Sequence, residues 1–199
     1  MSTAWQRIPL PGADVAFAPA WLPGAEADTL YKVLLDEIPW ETHQLRMFGR
    51  WVDAPRRNAW VGDEGTSYRY SGNTFAPRPW TPALASLRDR AAVACGTRFN
   101  SVLANLYRDG ADSMGWHSDD EPELGAEPVI ASVSLGAGRD FRFRAKADDG
   151  ETVVLALTHG SLLRMGEGTQ RLYKHDLPKR LRVKTPRINL TFRWIAPLS

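Results

Sequence analysis

The chain breaks into short runs of apolar and polar residues separated by glycine- and proline-rich turns, a punctuation that leaves room for few helices. Candidate strands cover residues 40–47, 50–52, 59–61, 67–70, 102–107, 129–135, 141–144, 153–157, 161–165 and 188–195. Short strands at this spacing predict an all-β sandwich or barrel. Two stretches follow helical spacing instead. Residues 25–37 carry Leu30, Val33 and Leu34, with Ile38 one turn on and Pro39 as the stop. The second starts at Thr81-Pro82, a cap residue followed by proline at the first helical position. It carries Leu84, Leu87, Ala91 and Cys95 and ends at Gly96. Both helices are expected on one face of the sheet. The segment before Trp21 reads as extended.

A chain of 199 residues, 43% apolar, is one domain able to bury about 70% of its unfolded surface. It needs no disulfide, and its one cysteine, Cys95, excludes an internal disulfide and a cysteine-based zinc site. Cys95 is expected as a buried apolar residue. No apolar run reaches the roughly 18 residues of a membrane span, and the N-terminus lacks a basic segment followed by an apolar one. A soluble intracellular protein is expected. The net charge of +2 excludes histone-like binding. Its distribution is uneven: residues 169–193 hold eight basic residues and one acid, Asp176, whereas 119–127 hold five acids and no base.

Three places carry chemistry. In the last candidate strand, period-two geometry puts Ile188, Leu190, Phe192 and Trp194 on one face. Arg187, Asn189, Thr191 and Arg193 fall on the other. An edge strand in water would read the same way. If both faces are buried, the polar face lines a cavity and its arginines need anionic partners, which a small dicarboxylate could supply. In Trp116-His117-Ser118-Asp119-Asp120-Glu121, His-x-Asp offers two cis metal ligands, and a facial triad needs one more histidine. His43, His159 and His175 are the candidates, and position alone does not choose among them. Finally, Asn105 and Tyr107 share one strand face and would donate to a bound carboxylate or keto group.

Together, Asn105-Leu106-Tyr107, His117-x-Asp119, His175 and Arg187-x-Asn189-x-Thr191-x-Arg193 resemble the AlkB family of Fe(II)/2-oxoglutarate dioxygenases. The agreement runs from about Phe48 to Ile195 and is nearest the family's nucleic-acid repair branch. The resemblance selects His175 as third ligand. It implies a double-stranded β-helix (jelly roll), with two helices buttressing the major sheet, in a single domain over residues 1–199. Residues 1–95 would form the N-terminal extension, helices and nucleotide-recognition hairpins, and 96–199 the catalytic core. It implies Fe(II) on His117, Asp119 and His175, with 2-oxoglutarate and O2 as co-substrates and ascorbate as an activator in vitro. Arg187 and Tyr107 would hold the distal carboxylate. Asn105, Asn189 and Arg193 would complete the co-substrate site, Asn105 and Arg193 at its metal-proximal end.

The implied reaction is oxidative demethylation of 1-methyladenine- or 3-methylcytosine-type bases in DNA, and in RNA as a further expectation, with formaldehyde released. Enzymes acting on a base extrude it from the stack. Tyr70 and His117 would sandwich that base, and Tyr68 and Asp120 would meet its polar edge. Asp120 would favour cationic bases. Phe48, at the tip of a Met47-Phe48-Gly49-Arg50 turn, would wedge into the stack. Arg46, Arg50, Arg56, Arg57 and Arg69 would contact phosphates, with Lys179, Arg180, Arg182 and Lys184 as a second cluster. The tip resembles the branch preferring double strands, whereas Trp116-His-Ser-Asp-Asp-Glu-Pro resembles the branch preferring single strands. Two other readings are a related oxygenase acting on a protein or small molecule, and a non-catalytic nucleic-acid-binding domain. Arginine and alanine richness suggests a bacterial source, and a cytoplasmic, nucleoid-acting monomer without membrane association is expected.

Overall fold

The computed structural model describes residues 3–47, 49–66, 68–70, 73–147 and 150–196, with backbone alone at 45–47, 68–70 and 73–75. In chain order the first elements are β1 (Gln6–Arg7), β2 (Val15–Ala18), α1 (Gly24–Glu37), β3 (Gln44–Met47), β4 (Arg50–Asp53) and β5 (Arg57–Gly62). Next come β6 (Tyr68–Tyr70), β7 (Asn73–Phe75), α2 (Pro82–Cys95), β8 (Ser101–Tyr107) and β9 (Met114–His117). The last are β10 (Ile130–Gly136), β11 (Arg139–Ala145), β12 (Val153–Leu157), β13 (Ser161–Met165), α3 (Thr169–Leu172), β14 (Tyr173–Leu177) and β15 (Arg187–Arg193).

The strands form two facing sheets of the jelly roll. The major sheet runs β1-β2-β13-β10-β15-β8-β5, and the minor sheet β12-β11-β14-β9. The pairings around β15, β10, β11 and β14 are all antiparallel, so one strand's partners are remote in sequence. Both expected helices cover the outer face of the major sheet. Leu34 of α1 and Leu84, Leu87 and Ala91 of α2 pack with Val102, Val133, Ile188, Leu190 and Phe192. The α2 boundaries follow the local chemistry read above. The Thr81 hydroxyl accepts from Leu84 N–H at 3.3 Å, and Gly96 closes the helix at φ 67°. Cys95 is buried among the helix's core residues, and burial pushes its thiol up to about 12.

Several elements went unread. The extended N-terminal segment adds β1 and β2 to the edge of the major sheet, with β2 pairing β13. The strand expected over 40–47 is shorter, because Trp40 turns its indole N–H back to Leu35 O at 3.0 Å. β9 and β14, which carry the histidines, were missing from the predicted strands. Between them and the major sheet lies a second core built on Ile130, Phe143, Leu157, Leu163, Met165 and Tyr173. Gly110 fastens the basic loop after β14: its N–H donates to Val183 O and its carbonyl accepts from Arg180 N–H, at 2.9 and 2.7 Å. A Cβ there would overlap the Arg180 carbonyl, so only glycine permits the approach.

Candidate active site

The site lies between the sheets. On the major side, β15 is buried on both faces. Ile188, Leu190 and Phe192 point to the helices, while Arg187, Asn189, Thr191 and Arg193 are 2%, 8%, 7% and 3% exposed and line the inter-sheet cavity. Register sets their neighbours: Arg187 lies opposite Tyr107 and Asn189 opposite Asn105. Arg187 donates to Ser134 Oγ at 2.9 Å, and its guanidinium stands 5.3 Å from the Tyr107 ring centroid. Its Nε has no hydrogen-bond partner among the described residues. Burial lowers this guanidinium to about 10, so it is still a cation at neutral pH. No carboxylate among the described residues pairs with it.

Asn105 is oriented from below by Arg56, whose Nε donates to Asn105 Oδ1 at 3.0 Å. With that oxygen engaged, the Asn105 amide N–H groups are left as donors toward the cavity. Asn189 is engaged differently. Its amide donates to Ser132 Oγ at 2.7 Å and Val133 O at 3.2 Å, and its oxygen accepts from Thr191 at 3.2 Å.

The minor sheet supplies the ligand set. β9 and β14 pair with His117 directly opposite His175. His117 holds Nδ1 at 2.8 Å from Gly115 O, which makes that nitrogen the donor and leaves Nε2 as the candidate ligand atom. Asp119 is seated by its own N–H on Gln170 Oε1 at 2.9 Å. One carboxylate oxygen accepts from Arg193 Nη2 at 2.6 Å, and the other faces His175 Nε2 at 3.8 Å. Phe141 stacks on the His175 ring at 5.1 Å and fixes its plane.

Among the described residues, His117, Asp119 and His175 form the one His/Cys/Asp/Glu group whose ligand atoms lie within 4.8 Å of one another. His159 is excluded by its place, since its Nδ1 accepts from Gly136 N–H at 2.8 Å. His43 stands beside Glu41 instead.

The electrostatics suit a divalent cation. Burial alone would raise the Asp119 carboxyl, but Arg193 and the two imidazoles hold it at about 2. Burial, together with His117, pushes His175 down to about 3 against the pull of Asp119. An ionised carboxylate and a neutral imidazole are the ligand forms, so neither waits on deprotonation at neutral pH. Two nitrogens and one oxygen fit non-haem Fe(II). On the opposite wall, the buried Arg187 with an open Nε fits a carboxylate. The residues present therefore fit both a metal and an anionic co-substrate, and they line one cavity between the sheets.

At the mouth the expected residues are less gathered. Arg50 is exposed on β4, and so are Trp51, Val52 and Asp53, so this strand of the β3–β4 hairpin has no apolar cover. Phe48 at its tip lies outside the described residues. Tyr68 and Tyr70 sit two apart on β6, paired to β7, with their side chains outside the described set. Asp120 is exposed and ion-paired with Lys146. Arg56 is corrected from a phosphate contact to a buried support of Asn105, which an arginine-rich stretch gives no means of foreseeing. Lys179, Arg180, Arg182 and Lys184 are exposed, although Arg180 pairs with Asp140. Arg139, also unread, is buried and donates to the Asp109, Asp112 and Pro178 carbonyls at 3.1, 2.9 and 2.7 Å. Its guanidinium is 5.9 Å from the Tyr107 ring, on which Arg187 also stands.

Comparison with known proteins agrees with this geometry. Residues 14–193 match the 2OG-Fe(II) oxygenase superfamily. The chain is 47% identical to the DNA oxidative demethylase ALKBH2 of Mus musculus over 183 residues, covering 87% of this chain and 77% of that one. It is 40% identical to the alpha-ketoglutarate-dependent dioxygenase alkB homolog 3 of Homo sapiens over 192 residues, 92% of this chain and 66% of that one. The solved structure of OsALKBH1 superposes with a TM-score of 0.70 at 17% identity, covering 96% of this chain and 100% of that chain. At that identity the superposition speaks for the fold alone.

Proposed function

The chain belongs to the AlkB family of 2OG-Fe(II) oxygenases, and from that premise we propose that it oxidatively demethylates N-alkylated bases in DNA. The observation carrying this reading is that one cavity joins a two-histidine, one-carboxylate ligand set to a buried arginine with no carboxylate partner among the described residues. ALKBH2's being a DNA oxidative demethylase supports DNA as the substrate class.

Fe(II), 2-oxoglutarate and O2, when bound, supply the oxidation that couples decarboxylation of the co-substrate to hydroxylation of the N-methyl carbon and release of formaldehyde. His117, Asp119 and His175 would hold the metal, Asp119 as an ionised carboxylate and His175 as a neutral imidazole. Arg187 and Tyr107 bind the distal carboxylate, with Ser134 fixing the guanidinium. Asn105 donates its amide toward the metal-proximal end of the co-substrate. Arg193 positions Asp119 by donating to the carboxylate oxygen that does not face His175. Asn189 keeps the floor of the cavity ordered through Ser132 and Thr191. This holds the co-substrate in one pose before chemistry begins.

On the substrate side, His117 and Tyr70 bracket the extruded base, and Tyr68 and Asp120 meet its polar edge. Arg50 and Trp51 on the exposed β4 engage the strand, Phe48 wedges into the stack, and the loop carrying Lys179, Arg180, Arg182 and Lys184 adds phosphate contacts.

Succinate formation with Fe(II), 2-oxoglutarate and ascorbate tests the substrate class. An oligonucleotide carrying one 1-methyladenine should stimulate it, and the unmethylated strand should not. Running methylated RNA alongside tells whether RNA also serves. Turnover indifferent to every methylated strand would sink the nucleic-acid reading and leave a protein or small molecule as the substrate.

A further inference from the structure

A second carboxylate, Asp120, directly follows the ligand Asp119, whose side chain lines the cavity. The Asp120 side chain is 61% exposed, and its Oδ2 accepts a hydrogen bond from Lys146 Nζ at 2.8 Å. Lys146 follows β11, and its backbone N–H donates to Leu172 O at 2.7 Å, which ties it to the start of β14. On the other side, Ser118 Oγ donates to Tyr173 O at 2.9 Å, so the backbone next to Asp120 is tied to the same place. The ion pair thus bridges two anchored segments, one of which carries the ligand Asp119.

A carboxylate already facing an ammonium attracts a second cation less strongly than a bare one. For a neutral base the same pairing makes little difference. Resting on the demethylation reading above, we infer that Lys146 is a specificity-determining residue. Its ammonium screens Asp120 and narrows the advantage a cationic N-methylated base holds over a neutral one. The breadth of bases accepted is then set by a residue on β11's exit, remote in sequence from the ligand motif.

The test compares kcat/KM for formaldehyde release from single-stranded oligonucleotides carrying 3-methylcytosine, a cation, or 3-methyluracil, which is neutral. Lys146→Met should raise the ratio of cationic to neutral activity by roughly two- to fivefold, the range of a solvent-exposed charge pair. Lys146→Arg should restore the wild-type ratio. In an Asp120→Asn background the effect of Lys146→Met should shrink, because the carboxylate being screened is gone. An unchanged ratio, or equal losses on both substrates as for a phosphate contact, overturns the inference. So does a gain that persists undiminished without Asp120. If the wild type releases formaldehyde from neither strand while succinate still forms, the demethylation reading itself falls and takes this inference with it, a result distinct from an unchanged ratio.

Discussion

Asp119→Ala abolishes 2-oxoglutarate turnover and strips the chain of its metal. Asp119 does three things at once: it presents an oxygen to the ligand cluster, balances the buried Arg193, and faces His175. Losing an outer-shell partner of a metal ligand costs about 10- to 100-fold in affinity, and losing a ligand costs more. Breaking a buried ion pair is also expensive, about 3–5 kcal/mol. The variant must therefore be shown folded by circular dichroism before its activity is read. Asp119→Asn separates the two effects, because it keeps the volume and an acceptor for Arg193 while losing the charge. Mn(II) titration and succinate assay of both variants are the measurements. Wild-type metal affinity and turnover in Asp119→Ala would refute the ligand assignment.

Arg187→Met acts on the opposite wall and leaves a different signature. Hydrogen bonds to a charged group are worth about 1.5–3 kcal/mol, so KM for 2-oxoglutarate should rise about 10- to 100-fold. Metal binding should be retained, since the ligands sit on the minor sheet. The stability of the protein without co-substrate should hold or increase, because the substitution removes a buried cation that has no carboxylate partner among the described residues. Differential scanning fluorimetry checks the pair of expectations. Wild type should gain thermal stability on adding 2-oxoglutarate, and the variant should lose that gain. An unaltered KM would mean that the distal carboxylate binds elsewhere.

What was legible in the sequence follows from where local physics dominates. The ends of α2 were readable because Thr81, Pro82 and Gly96 act through local backbone geometry. The polar face of β15 was readable because alternation survives when one face meets helices, although the sequence alone allowed that face to be wet. Its burial depends on the minor sheet, whose strands β9 and β14 hide their pattern. In β14 the inward face carries the polar ligand His175 and the outward Asp176 is itself buried, held by Arg142 on β11, so polarity over these five residues does not mark a wet face and a buried one. The choice of His175 over His159 rested on family resemblance, and in space it is decided by pairing across β9 and β14.

Charged residues were the least readable. Arg56 and Arg139 look like the surface arginines around them, yet both are buried, Arg56 under Asn105 and Arg139 against three carbonyls. Asp120 was read from its position beside a ligand, but its partner Lys146 is 26 residues away and is brought close only by the exit of β11. Such pairings are tertiary, and no local rule contains them.

The most direct measurement is formaldehyde release from oligonucleotides bearing one 1-methyladenine or 3-methylcytosine, in single- and double-stranded form, with succinate counted in parallel. Formaldehyde and succinate should form in equal amounts, both requiring Fe(II) and 2-oxoglutarate. The ratio between strand forms then tells whether the hairpin carrying the exposed β4 serves a duplex. Succinate accumulating with no formaldehyde from any methylated strand would contradict the account.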